Sequence, residues 1–221
     1  MRFCALMLLS ILWAPLAQAE EGKVAIIGDS IFAFPFIKKI GKHLKDKIPM
    51  GIHDFSVNRA VLLKPNAWGF PPRSVIPEVY REKVKPHKGR YDILVFDGGG
   101  NDMLVHEDEC ASSGCPALLQ DLSLRWQQFF KEAADDGFSR IVFLGYYHLR
   151  GKKAKLSDFM DSMAEEYQRI CGLSPVPCTY VDPRARFSEH RGKRLIVWDG
   201  IHPSSEGARV LADLIAGAIQ E

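Results

Sequence analysis

The sequence predicts an α/β fold in which a five-stranded parallel sheet is covered by helices on both faces. Five short runs are apolar and rich in β-branched or aromatic residues, which is typical of strands buried on both sides. These runs are 24–27, 52–57, 93–96, 141–144 and 178–181. Helical patterns lie between them, and strands that alternate with helices form a parallel sheet whose ligands bind at the carboxyl ends of the strands.

Four stretches repeat apolar residues at helical spacing, and we predict that they pack as core helices against this sheet. Gly137 follows the second stretch and is typical of a helix C-terminus. The apolar residues are Phe32, Phe36, Ile37, Ile40 and Leu44; Leu118, Leu119, Leu122, Trp126, Phe129, Phe130 and Ala133; Phe159, Met163, Tyr167 and Ile170; and Val210, Leu211, Leu214, Ile215, Ala218 and Ile219.

Residues 1–19 are predicted to be a secretory signal peptide. After a short basic start, the apolar run 4–16 is too short to span a bilayer comfortably, and residues 17–19 form a small-x-small cleavage site. Cys4 lies early in the run rather than at the cleavage point, which argues against a lipid anchor. Residues 20–221 then form one domain, since about 200 residues suffice for one core. We expect a secreted or periplasmic protein without a stable membrane anchor.

The charges of the chain nearly balance. There are 29 Lys and Arg residues against 27 Asp and Glu residues, which gives a formal net charge of +2. A chain of this kind has no general attraction for nucleic acid or anionic membranes. One basic cluster, formed by Arg150, Lys152, Lys153 and Lys155, is interpreted as a solvated loop, with a binding patch as the alternative.

Four cysteines remain after the signal peptide, and an even number is typical of a secreted protein with disulfides. Three pairings are possible, but Cys110 and Cys115 bracket turn residues, as do Cys171 and Cys178. We therefore expect the local disulfides Cys110–Cys115 and Cys171–Cys178. A zinc site is the competing interpretation, and it is disfavoured because neither pair has the Cys-x-x-Cys spacing.

Three polar loops are predicted to meet at the carboxyl rim of the sheet. Residues 28–30 (Gly-Asp-Ser) follow the first strand, 98–102 (Gly-Gly-Gly-Asn-Asp) follow the third, and 199–202 (Asp-Gly-Ile-His) precede the last helix. Each alone could be an ordinary turn or helix cap. Together they supply the hydroxyl, the imidazole and the carboxylate of an activated nucleophile, which indicates a hydrolase.

These motifs resemble those of the SGNH, or GDSL-like, hydrolases, a family of secreted esterases and lipases with a flavodoxin-like three-layer α/β/α sandwich. Residues 28–30 resemble the nucleophile block, although Ile31 replaces the usual leucine, and 99–102 and 199–202 match the Gly-x-Asn-Asp and Asp-x-x-His blocks. The chain departs from the family after the second strand. There the family shows Asn, four residues and Gly, whereas here Leu63 stands in the glycine's place.

The resemblance implies a role for each matching residue. Ser30 is the nucleophile, His202 the base, and Asp199 the carboxylate that orients the base. The oxyanion hole consists of the N–H of Ser30, the side-chain amide of Asn101 and the N–H of Leu63. No metal or other cofactor takes part. A leucine keeps the backbone donor, but its side chain could narrow the site.

The loop after the second strand is predicted to reach the same rim. It carries Trp68 and Phe70, which we interpret as substrate contacts, with aromatics packed inward in a rigid loop as the alternative. The predicted function is hydrolysis of small-molecule or glycan-linked carboxylic esters. A carbohydrate O-acetylesterase of the same fold is one alternative, and a non-catalytic binding protein that kept the fold is another. The sequence leaves open the acyl chain, the alcohol and the oligomeric state.

Overall fold

The fold is described from a computed structural model, which covers residues 23–36, 38–64, 74–189 and 195–221. Five strands form one parallel sheet in the order β2-β1-β3-β4-β5, which confirms the predicted fold class. They are β1 (Lys23–Ile27), β2 (Gly51–Asp54), β3 (Ile93–Phe96), β4 (Arg140–Leu144) and β5 (Cys178–Val181). The connections leave β1 and β3 in opposite directions, so a crevice opens at the carboxyl ends of these two strands.

Nine α-helices and two 3-10 helices belong to the described ranges. The α-helices are α1 (Ser30–Ala33), α2 (Ile40–Leu44), α3 (Ile76–Lys83), α4 (Gly100–Val105), α5 (Glu107–Ser113), α6 (Pro116–Asp135), α7 (Ser157–Cys171), α8 (Arg184–Glu189) and α9 (Ser205–Gln220). The 3-10 helices are Lys85–His87 and Gly151–Leu156. In these ranges no helix is both long and apolar enough to cross a bilayer. The predicted signal peptide, 1–19, lies outside the described residues.

The helices cover the sheet in two layers. On one face, Phe96 of β3 stacks on Trp126 of α6 with ring centroids 4.6 Å apart, and Phe143 of β4 stacks on Tyr167 of α7 at 4.7 Å. On the other face, α2 and α9 pack against each other, and α2 approaches Ile26 of β1. All five of these side chains are excluded from solvent, as are Leu211 and Ile215 of α9. The predicted core helices of the second, third and fourth stretches are therefore confirmed as α6, α7 and α9.

The first predicted helix differs from the prediction, because it divides into the short helices α1 and α2. A proline disfavours helical backbone at the residue before it, and Phe34, which precedes Pro35, is extended with ψ 125°. Phe36 therefore points away from the core, with 85% of its surface exposed, although the apolar pattern placed it inside. Ile37 lies outside the described residues. Strand β2 is also shorter than predicted, since the Asp54 side chain accepts the N–H of Ser56 and begins a turn.

Both predicted disulfides are present, and each joins the end of one element to the next. Cys110 of α5 is bonded to Cys115, which caps the N-terminus of α6, with Cα atoms 4.5 Å apart. Cys171, the last residue of α7, is bonded to Cys178, the first residue of β5, with Cα atoms 5.4 Å apart. The pairing inferred from local spacing is therefore confirmed.

Removing either disulfide should destabilise the fold measurably. The cross-links close loops of 5 and 7 positions, and the double substitutions Cys110→Ala with Cys115→Ala, and Cys171→Ala with Cys178→Ala, should each lower the free energy of unfolding by roughly 2 kcal/mol. Urea denaturation measures this loss. Peptide mapping without reductant should recover the two local pairs, and a crossed pairing or free thiols would contradict the structure.

Candidate active site

The three predicted loops meet at the carboxyl ends of β1 and β3, where they bring Ser30, His202 and Asp199 together. The Oγ of Ser30 lies 2.8 Å from Nε2 of His202, although the two residues are 172 positions apart in the chain. The Nδ1 of the same ring lies 2.6 Å from Oδ2 of Asp199. The imidazole thus lies between a hydroxyl and a carboxylate, within hydrogen-bond distance of both.

Asp199 is held by its own loop. Its Oδ1 accepts the backbone N–H groups of Ile201 at 2.8 Å and His202 at 3.0 Å, which leaves Oδ2 to face the imidazole. Burial alone would raise the pKa of Asp199, but these hydrogen bonds and the one from the His202 ring outweigh it and lower the pKa. The carboxylate therefore stays ionised. Gly200 has φ +76°, and a Cβ there would lie 2.5 Å from the carbonyl oxygen of Arg150, so this turn requires glycine.

An aromatic ring that the sequence patterns did not single out fixes the third side of the imidazole. Phe34 stacks on His202 with ring centroids 4.0 Å apart and an angle of 6° between the planes. Phe34 ends α1, the helix that Ser30 begins, so one short segment contacts the ring at two points. Because Phe34 belongs to none of the periodic stripes, no sequence signal distinguished it from other apolar residues of the chain.

A buried hydrogen-bond network lies beneath Ser30. Asp29 caps α1 by accepting the N–H of Ile31 at 2.8 Å, and its other oxygen accepts the hydroxyl of Tyr146 at 2.8 Å. The N–H of Asp29 donates to Oδ1 of Asp97 at 2.8 Å. The hydroxyl of Tyr146 in turn accepts the N–H of Gly100 at 3.0 Å. Through these bonds, the loop that carries Ser30 is tied to the loops after β3 and β4.

Asp97 is the most enclosed acid of this network. It is fully buried, and Oδ2 has no hydrogen-bond partner among the described residues. Burial and the negative charge of Asp29 raise its pKa well above the ordinary value. A Cβ at position 28 would lie 1.9 Å from Oδ1 of Asp97, which explains why position 28 is a glycine. Asp97 directly follows a buried strand, and this acid between an apolar run and three glycines was the signal that sequence analysis passed over.

The residues predicted for an oxyanion hole are only partly available. The N–H of Ser30 has no acceptor within the described part of the chain, and Nδ2 of Asn101 donates to the carbonyl of Ala60 at 2.8 Å, which leaves the second N–H of that amide. The N–H of Leu63, in contrast, donates to Oδ1 of Asp102 at 2.9 Å. Leu63 would have to leave this carboxylate before it could serve an oxyanion.

The Asp102 side chain holds the loop after β2 through hydrogen bonds to its backbone. Its second oxygen accepts the N–H of Leu62 at 2.8 Å, so one carboxylate holds two consecutive amides. Burial raises the pKa of Asp102 to about 6, against the lowering effect of these two hydrogen bonds. The aromatic residues predicted for the same loop, Trp68 and Phe70, lie outside the described residues.

A small cavity borders Ser30. Its volume is about 20 Å³, which is room for one group the size of a water molecule or a methyl group. Ser30, Asn101 and the apolar side chains of Ile31, Met103 and Leu104 are among its walls. Leu63 is not part of this wall and lines a separate cleft instead.

Two further features bear on the chemistry of the site. Within the described ranges, no group of three or more His, Cys, Asp or Glu side chains is placed to hold a metal ion. His148, which follows β4 at the same rim, has its Nε2 2.7 Å from Oδ1 of Asp161, and Arg184 donates to the same oxygen. This group is an ion-pair cluster at the surface.

Solved structures of similar shape place this architecture among known folds. A candidate SGNH hydrolase from Slackia heliotrinireducens is 17% identical over 90% of this chain and 99% of its own, with a TM-score of 0.61. An acetylxylan esterase from Geobacillus stearothermophilus is 18% identical over 91% and 97%, with a TM-score of 0.67. A lipase from a goat rumen metagenome is 15% identical over 89% and 97%, with a TM-score of 0.65.

The chain has the fold of the SGNH hydrolases. The flavodoxin-like strand order and the position of the three loops agree with this likeness. A scan against protein-family models found no match, and a search of curated protein sequences found none either. At this level of identity the SGNH fold is what the neighbours establish, and the activity has to be argued from the residues of this chain.

The raised pKa of Asp97 predicts that the free energy of unfolding depends on pH. A carboxyl whose pKa is raised by folding binds its proton more tightly in the folded state, so the folded state loses stability as the pH rises above the ordinary pKa of 3.8. Asp97→Asn keeps an acceptor for the N–H of Asp29 but carries no charge. Its free energy of unfolding, relative to wild type, should therefore increase between about pH 5 and about pH 8 in urea titrations.

A second substitution separates the hydrogen bond from the charge. Asp97→Leu also removes the charge, but it leaves the buried N–H of Asp29 without an acceptor, which costs about 1–3 kcal/mol. Asp97→Leu should thus be less stable than Asp97→Asn at every pH. If the difference between wild type and Asp97→Asn were constant with pH, Asp97 would be ionised in the folded protein.

Proposed function

We propose that this protein hydrolyses carboxylic esters, with Ser30 as nucleophile, His202 as general base and acid, and Asp199 as the carboxylate that orients the base. The observation that carries the proposal is the continuous hydrogen-bonded series from Ser30 Oγ through His202 to Asp199. A hydroxyl is a weak nucleophile until a base removes its proton, and an imidazole is an effective base when a carboxylate holds its other nitrogen.

The proposed reaction has two halves. Ser30 Oγ attacks the ester carbonyl while His202 Nε2 takes the hydroxyl proton, and Asp199 stabilises the resulting imidazolium. When the tetrahedral intermediate collapses, His202 returns the proton to the oxygen of the leaving alcohol. Water then attacks the acyl-enzyme with help from the same base, which releases the carboxylic acid and restores the Ser30 hydroxyl.

The negative oxygen of the intermediate needs hydrogen-bond donors. The N–H of Ser30 and the second N–H of the Asn101 amide are the donors that the described site offers without breaking an existing bond. Loss of one such donor typically costs about 3 kcal/mol in barrier height. Leu63 is a third donor only if its N–H exchanges Asp102 for the oxyanion.

Acetyl esters are the substrates that the site favours. The cavity of about 20 Å³ beside Ser30 offers room for the methyl of an acetyl group, and Met103 and Leu104 border it. The shared fold does not choose between the known activities, since an acetylxylan esterase and a lipase both have it. The small cavity favours a carbohydrate O-acetylesterase over a lipase.

The two disulfides bear on where the protein works. Disulfides persist in oxidising compartments and are rare in the cytosol. Cys110–Cys115 and Cys171–Cys178 therefore favour a protein exported from the cytosol, with residues 1–19 as its signal peptide.

The triad assignment predicts the effect of two substitutions. Ser30→Ala and His202→Ala should each lower kcat for p-nitrophenyl acetate by about a thousandfold or more, because nucleophile and base act as a unit. Ser112→Ala, which removes an exposed hydroxyl on α5, is the matched control and should keep wild-type turnover. A fluorophosphonate should label wild type and not Ser30→Ala. Retention of more than about a tenth of the turnover by Ser30→Ala would overturn the assignment.

The cavity beside Ser30 predicts acyl-chain selectivity. Wild type should prefer acetyl over hexanoyl esters in kcat/KM by about a hundredfold, since each methylene that lacks space is costly. Leu104→Ala removes part of the cavity wall and so enlarges the cavity. It should raise the ratio of kcat/KM for hexanoyl esters to kcat/KM for acetyl esters about tenfold. Leu214→Ala on α9 shortens another half-buried leucine away from this cavity and should leave the ratio unchanged. An unchanged ratio in Leu104→Ala would mean that the acyl group binds elsewhere.

A further inference from the structure

Two large aromatic side chains are exposed to solvent next to the triad. Trp198 directly precedes Asp199 and has 96% of its surface exposed, and Phe36 has 85% exposed. Phe36 contacts the edge of Phe34, the ring that stacks on His202. Exposed single apolar residues are common, but two large aromatics beside a reacting centre indicate a surface that another molecule covers.

Trp198 borders a cleft, which we call the Trp198 cleft. It has a volume of about 660 Å³, within the range of sites for small ligands, and lies between residues 150–153 and residues 196–200. Its two walls are joined, because the N–H of Arg150 donates to the carbonyl of Gly200 at 2.8 Å. The second wall is joined to the triad through the N–H of Val197, which donates to the carbonyl of His202 at 2.9 Å.

Cations outnumber acids in the lining of the Trp198 cleft. Arg150, Lys152 and Lys153 line it, and the one acid of its lining, Asp199, faces the imidazole of His202. Lys153 is paired with Glu107, whereas Lys152 is exposed and forms no ion pair with any described residue. The chain as a whole has a net charge of only +2, so this excess of cations is a local property of the cleft.

An aromatic ring and cations together suit a particular ligand. A pyranose presents an apolar face of C–H groups, which an exposed indole covers, and a sugar carboxylate accepts hydrogen bonds from Lys and Arg. A neutral sugar would use the indole but not the cations. A simple acetyl ester of a small alcohol would use neither.

We propose that the Trp198 cleft binds an acidic glycan, with a uronate ring on Trp198 and its carboxylate near Lys152. The proposal rests on the proposed ester hydrolysis, and it makes the substrate an O-acetylated polyuronate. The acetylated sugar lies at Ser30, and a neighbouring unit of the same glycan lies in the cleft.

The first experiment measures binding without any reaction. Full-length protein is titrated with a de-O-acetylated uronate oligosaccharide, followed by calorimetry and by quenching of tryptophan fluorescence, and with a neutral xylo-oligosaccharide of equal length. The uronate should bind at least about tenfold more tightly, and its affinity should fall as salt rises from about 50 to about 300 mM. Equal affinity for the two glycans would overturn the proposal.

Substitutions locate the binding. Lys152→Glu and Trp198→Ala should each weaken uronate binding by about tenfold or more. Lys45→Glu is the matched control, because Lys45 is an exposed lysine between α2 and β2, at the opposite rim of the sheet, and it should bind like wild type. Uronate binding that is unaffected by either cleft substitution would place the ligand elsewhere and overturn the proposal.

The second experiment measures specificity as a ratio. The kcat/KM for an acetylated polyuronate, divided by that for p-nitrophenyl acetate, should fall about tenfold in Lys152→Glu and Trp198→Ala and stay unchanged in Lys45→Glu. Tight binding of uronate without hydrolysis of any ester would support the cleft and overturn the enzyme. Hydrolysis of p-nitrophenyl acetate without preference for the uronate would support the enzyme and overturn the glycan site in the cleft.

One further arm tests a lipid surface, because exposed tryptophan beside lysine also occurs at membrane interfaces. Vesicles containing phosphatidylglycerol are sedimented with the protein, with and without the uronate. The concave shape of the cleft favours the glycan, so the protein should stay in the supernatant. Sedimentation that depends on Trp198 and Lys152, and that the uronate does not reverse, would replace the glycan by an anionic lipid.

Discussion

The hydrogen bond from the N–H of Asp29 to Asp97 is the contact on which the geometry of the site depends. It joins the loop after β1 to the loop after β3, in the crevice that the strand order opens. Asp97 is fully buried there, and the space that it occupies excludes a side chain at Gly28. The position of Ser30 is therefore set by a carboxyl group that takes no part in the proposed chemistry.

His202 is also held in position by the residues around it. His202 contacts Ser30, Asp199 and Phe34, so its ring is held at both nitrogens and on one face. Phe34 is available for this contact because Pro35 ends α1 there. The orientation of the His202 ring therefore depends on Pro35, which ends α1 near the N-terminus of the chain, and on the Asp199 turn near the C-terminus. The entropy lost by fixing the ring is lost during folding and not during a reaction. Proton transfer is efficient when the groups are positioned in advance in this way.

Two cavities of very different size flank this centre, and their shapes divide the proposed recognition between them. The cavity of about 20 Å³ beside Ser30 restricts the acyl group, whereas the Trp198 cleft of about 660 Å³ offers room for the alcohol side of an ester. With the proposed roles of acyl site and leaving-group site, a small apolar cavity beside a large cationic cleft suits the acetylated saccharide that we propose and not a long-chain lipid ester.

The sequence by itself determined the five strands, the three long helices, both disulfides and the positions of Ser30, Asp199 and His202. These features depend on residue periodicity and on chain order, which a linear sequence contains. Only the tertiary structure decided that Leu63 donates to Asp102, that Phe34 stacks on His202 and that Phe36 and Trp198 are exposed. Such contacts depend on which side chains face each other across neighbouring loops. No local pattern encodes that, because the directions of side chains are set by packing between segments that are far apart in the chain.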